Sequence, residues 1–170
     1  MKKTLLIGYG NLDREDDGVA WHILTHVANR LHIPFPEDST EEMDLLDSNP
    51  AIYFSLQLTP EFAEEISHFE RICFIDAHTG NYPDDLNVQK VEPEFQRSPF
   101  THHLTPQSCL SLSQSLYGHA PEAILVSVKG YSFNFSQSLS PTTQKLMEKA
   151  VDAILQWLNQ EYKLHFWSEL

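Results

Sequence analysis

The chain has 170 residues, 41% of them hydrophobic and 21% charged, the balance of a globular protein long enough to bury a substantial core. Its 24 acidic residues outnumber the 11 basic ones, giving a formal charge of −13. That excess argues against nucleic acid and anionic membrane surfaces as partners, and no apolar run reaches membrane-spanning length.

Thr4 to Gly8 (TLLIG) is a short β-rich run ending in glycine, suited to a buried parallel strand. The opening MKKTLLIG imitates a signal peptide, but its apolar part is too short and runs straight into NLDREDD. A cytoplasmic protein is expected. From Gly18 onward, Ala20, Ile23, Leu24, Val27, Ala28 and Leu31 fall at helical spacing. Residues 34–50, acidic and bounded by prolines, read as an exposed connection with room for a short irregular strand.

Strand-like runs follow at 51–57, 71–77, 87–93 and 123–130. Thr59-Pro60, Thr105-Pro106 and Ser140-Pro141 each set a hydroxyl before a proline, the pattern of a capped helix with proline in its first turn. The second of these helices ends at Gly118. The third is long, with Met147, Ala150, Val151, Ile154, Leu158 and Tyr162 on one face. Cys73 and Cys109 both lie among apolar residues and read as buried thiols, not a disulfide. Alternating strands and helices predict one α/β domain over 1–170, with a mostly parallel sheet covered on both faces.

Ligands of open parallel sheets bind outside the carboxyl ends of the strands. That rule gathers three distant stretches: the GNLDREDDG turn with Asp16 and Asp17, Asp76 at the end of RICFIDA, and His102 and His103 in SPFTHHLTP. Two carboxylates and an imidazole are an oxygen and nitrogen set suited to a divalent transition metal, and a carboxylate there can serve as a general base. Each also has a plain structural reading. The doubled aspartate favours a helix N-terminus, Asp76 can bond the next loop, and a His-His pair can be solvated. His78 is a competing imidazole, and the remaining histidines read as surface or boundary residues.

Nucleotide binding fits poorly. The position of a third fingerprint glycine holds Asp13, and the second strand ends near Gln57 instead of in an acid. No nucleophile elbow, H-E-x-x-H or paired-cysteine spacing occurs.

GxGN, DDGV six residues after the second glycine, a strand ending in Asp-Ala, T-H-H-L-T-P, and KGYSFNFSQSLSP before a long terminal helix together resemble the hydrogenase maturation proteases. The resemblance covers nearly the whole chain. It implies a three-layer α/β/α sandwich around a twisted, mostly parallel sheet. It also implies an endopeptidase that removes the C-terminal extension of a nickel-loaded [NiFe]-hydrogenase large-subunit precursor. The nickel arrives with that precursor, and no permanently bound cofactor is expected. By the same resemblance Asp17, Asp76 and His102 contact the metal, His102 being the histidine two residues before Leu104, while Asp16 caps the helix or supports the turn. A doubled acid in a glycine turn then faces a cation, not a phosphate.

The chain departs from the family in three places. SLQLTPE stands where many members have Asp-Gly-Gly-Thr, Ala20 stands where a glycine is common, and the acidic 34–50 segment has no counterpart. Ala20 is small enough to preserve close helix packing. A monomer would suit access to a large protein substrate. A second hypothesis is a non-catalytic chaperone that holds nickel or the precursor without cutting; a third, weaker one is a small-molecule binder.

Overall fold

In the computed structural model, residues 2–40, 42–95 and 104–168 are described, with side chains as far as residue 160. The strands are β1 (Thr4–Tyr9), β2 (Met43–Leu45), β3 (Ala51–Ser55), β4 (Arg71–His78), β5 (Leu86–Val91) and β6 (Glu122–Lys129). They form one sheet in the order β2-β3-β1-β4-β6-β5. The four central strands run parallel, and the two edge strands pair antiparallel with their neighbours. Strands buried on both faces need apolar residues at every position; β1 and β4 supply them as LLI and ICFI, all buried.

The helices are α1 (Val19–Arg30), α2 (Ala63–Ser67), α3 (Pro106–Tyr117) and α4 (Pro141–Ser168). Leu6, Cys73, Ile75, Val126 and Val128 pack with residues of α1 and α4 on one face of the sheet. Leu5, Ile7, Ile72, Phe74 and Leu125 pack with residues of α2 and α3 on the other. The result is the three-layer α/β/α sandwich expected. Ala20 does sit against the sheet. A Cβ on Gly8 would stand 2.8 Å from Leu24 Cδ1 and 3.0 Å from the Ala20 Cβ, so a small residue on each element sets the α1–β1 spacing.

Both cysteines are buried and free. Thr105 caps α3, its hydroxyl accepting from the Ser108 N–H at 3.1 Å, and Gly118 ends the helix in the left-handed region at φ 77°. Thr59 behaves differently. Its side chain makes no cap bond, and the segment after it is a 3-10 turn (Pro60–Phe62) running into only five residues of α-helix. Along α4, Met147, Ala150, Val151 and Ile154 are buried and Leu158 packs beside them; the Tyr162 side chain lies outside the described residues. The acidic connection does contain a strand, β2, on the sheet edge.

Candidate active site

The turn after β1 is held open by glycine. Gly10 has φ 148°, and a Cβ there would stand 2.1 Å from the Asp17 carbonyl oxygen, so only glycine lets the chain pass this close. The two aspartates follow in a 3-10 turn (Glu15–Gly18) instead of in α1 itself, with Glu15 at φ 44°. That strained residue is pinned from outside: the Glu15 N–H donates to the Ser136 carbonyl at 2.7 Å, and the Ser136 N–H returns a bond to Asp13 at 3.0 Å.

The adjacent carboxylates part company here. Asp16 is fully buried. It accepts from the N–H groups of Tyr131 (2.7 Å), Ser132 (2.9 Å) and Ser140 (2.8 Å), and from the hydroxyls of Ser140 (2.6 Å) and Thr143 (2.9 Å). Burial alone would raise its pKa, but the bonds from Ser140, Tyr131 and Thr143 outweigh it and hold the carboxyl below the ordinary value. A Cβ on Gly130 would come 3.0 Å from Asp16 Cβ, so this glycine makes room for the clamp. The helix that Asp16 serves is α4, over a hundred residues away, not the α1 that follows it. Asp17 is half-buried and accepts one described bond, from the Asn11 N–H at 2.8 Å, which leaves most of its acceptor capacity free.

Asp76 lies near the end of β4, on the α2/α3 face of the sheet. Its Oδ1 accepts from its neighbour's N–H, that of Ala77, at 2.7 Å, and the Tyr9 hydroxyl donates to the carboxyl from β1. Burial pushes the carboxyl up to about 7 against the pull of the Ala77 N–H, while the nearby Asp17 charge adds to the rise and Tyr9 opposes it. The same burial, with Asp76 beside it, raises the Tyr9 hydroxyl well above its usual value. Asp17, in the turn after β1, thus lies near enough to Asp76, at the carboxyl end of β4, for its charge to act on that carboxyl. Together they offer oxygen ligands to a cation and a proton acceptor that titrates near neutrality.

Sequence reading missed Tyr9. The signal was present as alternation: Leu5, Ile7 and Tyr9 share one face, as do Ile72, Phe74 and Asp76.

His78 does not compete for a ligand. It is buried, its Nδ1 accepts from the Gly80 N–H at 3.1 Å, and its Nε2 lies 3.2 Å from the Asp85 carbonyl. Both nitrogens are thereby occupied. His22 and His119 likewise contact the carbonyls of Gln137 and Phe69. His102 and His103 lie outside the described residues. Among the described residues, no three His, Cys, Asp or Glu side chains group closely enough to hold a metal ion.

Where the SLQLTPE departure falls, an open groove of about 550 Å³ runs past Tyr53, Ser55, Leu56, Leu58, Glu61 and Phe62. It adjoins the turn, since the Gly10 N–H donates to Ser55 at 3.2 Å. Among the described residues, no helix is long and apolar enough to cross a membrane.

No family model matches the chain, and no curated protein matches its sequence. Solved structures do share its fold. The hydrogenase maturating endopeptidase HybD from E. coli aligns with a TM-score of 0.62 at 17% identity, over 94% of this chain and 93% of that one. An endopeptidase from Escherichia coli gives 0.64 at 19% identity, over 94% and 93%. The [NiFe] hydrogenase maturation protease HycI from Thermococcus kodakarensis KOD1 gives 0.63 at 13%, over 93% of each chain.

Proposed function

We propose that this chain is an endopeptidase of hydrogenase maturation, which removes the C-terminal extension of a nickel-loaded [NiFe]-hydrogenase large-subunit precursor. The observation that carries this reading is the convergence of Asp17 and Asp76 at the carboxyl ends of β1 and β4. It occurs in a fold shared nearly end to end with hydrogenase maturation endopeptidases.

In this reading Asp17, Asp76 and His102 grip the nickel that the precursor carries, so the cargo itself positions the scissile bond. Asp17 presents a half-buried carboxylate with free lone pairs. Asp76 adds a second carboxylate to that grip, and the proton released by the attacking water passes to the leaving amine. Water oxygen joins the scissile carbonyl carbon as the C–N bond breaks. The Asp16 clamp touches neither metal nor substrate; it fixes the turn that carries Asp17.

The test is intact-mass analysis of the nickel-loaded precursor before and after incubation with the protein. Loss of one discrete C-terminal peptide, absent with Asp17→Ala, is the expected result. A stable complex with unchanged mass would replace the protease by a non-catalytic nickel- or precursor-binding chaperone.

A further inference from the structure

The row of polar side chains at Asp76 continues across the sheet. Tyr9 on β1 pairs with Ser55 on β3. Asp76 on β4 pairs with Ser127 on β6, and Ser127 pairs in turn with Asn87 on β5. Laterally paired residues point to the same face, here the face on which Phe74, Leu125 and Val91 form the core with α2 and α3. Along this face β1, β4 and β6 are apolar until they reach the row and there turn polar at Tyr9, Asp76 and Ser127, while β3 ends in Ser55 and β5 carries Gln89 before Asn87.

Asn87 is the anomaly in that row. Its Nδ2 is buried and is, among the described residues, the one buried side-chain nitrogen or oxygen without a hydrogen-bond partner. An amide left in that state costs stability, and a leucine of similar volume would not carry the cost. A buried donor without an acceptor calls for an explanation, and a bond completed by a ligand is one. Asn87 as a whole is only half-buried on the sheet's edge strand, so a change of side-chain rotamer brings the amide to a bound chain.

We propose that Asn87 is a substrate-binding residue, its side-chain amide donating to a carbonyl oxygen of the polypeptide that is cut at the Asp17–Asp76 pair. Strands lie about 4.8 Å apart, so Asn87, two strands from Asp76, stands roughly 10 Å from it along the sheet. An extended polypeptide rises about 3.3 Å per residue. The carbonyl that Asn87 holds therefore belongs about three residues from the scissile bond. This inference rests on the endopeptidase reading and adds to it a contact remote from the chemistry, one that fixes register.

The experiment compares the wild-type full chain with Asn87→Leu and Asn87→Asp. It measures melting temperature, kcat and KM for cleavage of the nickel-loaded precursor, and affinity for the uncut precursor. Asn87→Leu is expected to melt at or above the wild-type temperature while KM rises on the order of tenfold, the worth of one hydrogen bond, and kcat changes by less than about twofold. Asn87→Asp, which keeps the shape and loses both donors, is expected to show the same rise in KM. An unchanged KM in both variants, or a melting temperature lowered in Asn87→Leu, overturns the proposal and makes Asn87 a structural residue. A wild-type protein that binds the precursor without cutting it sinks the protease reading alone, and Asn87 is then judged by affinity. A wild-type protein that neither binds nor cuts overturns both.

Discussion

Asp16 is fully buried and Asp76 half-buried, and their surroundings drive the two carboxyls in opposite directions. Five hydrogen-bond contacts converge on Asp16 and keep it ionised below its ordinary pKa. Asp76 has the Ala77 N–H, the Tyr9 hydroxyl and a second acid for company, and it rises to about 7. Burial is common to both, so burial does not decide; the supply of donors does. A satisfied carboxylate becomes a structural fastening, and an under-supplied one stays available to a cation or a proton.

Activity tells the half-buried pair Asp17 and Asp76 from the clamped carboxylate most sharply. Asp17→Ala and Asp76→Ala should each keep the fold and lower precursor cleavage by about 10²–10⁴-fold, read by intact mass. Full activity in either variant would remove that residue from the site. Asp16→Ala should do the converse, through stability. It strands the N–H groups of Tyr131, Ser132 and Ser140, and should cost on the order of 3 kcal/mol in urea denaturation. The melting temperature should fall by roughly 6–12 °C.

The opposed pKa shifts give opposed pH dependences. Asp16, lowered on folding, contributes stability that is complete above its unfolded value near 3.8 and is lost as pH falls through its folded value. Asp76 is raised to about 7, so the folded chain holds a proton that the unfolded chain has released above its model value of 3.8. Its stability contribution therefore declines as pH rises between those two values. Asp76→Asn in the free protein should remove that decline, gaining on wild type at pH ~8 relative to pH ~4 by on the order of 2 kcal/mol after allowance for partial exposure. Equal pH profiles would show that Asp76 is better solvated than its neighbours allow. The smallest effect belongs to Thr143→Val, which keeps the side-chain shape and removes one of the five contacts; it should cost about 1 kcal/mol in the same denaturation measurement.

Much of the candidate site was legible because it is local. Asp76 stood out as an acid ending an apolar strand, and Asp17 as part of a doubled acid beside glycines. Both positions follow from the carboxyl-end rule once the alternation of strands and helices is read. Thr59 shows the limit of local signals, since the same hydroxyl-proline pair that caps α3 at Thr105 caps nothing at Pro60. The division between Asp16 and Asp17 came from the family resemblance and not from the residues themselves. The donors that decide it come from residues 131–143, brought in by the return of the chain to α4.

The α/β class, the apolar strands, the helix faces of α1 and α4 and the acids beside the ends of β1 and β4 can be read from the chain, because side-chain periodicity and strand-end chemistry are written over a few residues. Tertiary structure alone decided that β2 and β5 run antiparallel at the edges, that His78 is spent on Gly80 and Asp85, and that Tyr9, Asp76, Ser127 and Asn87 share one row. Those facts depend on lateral register between strands distant in sequence, and register is settled by the packing of whole faces, not by any stretch of chain read alone.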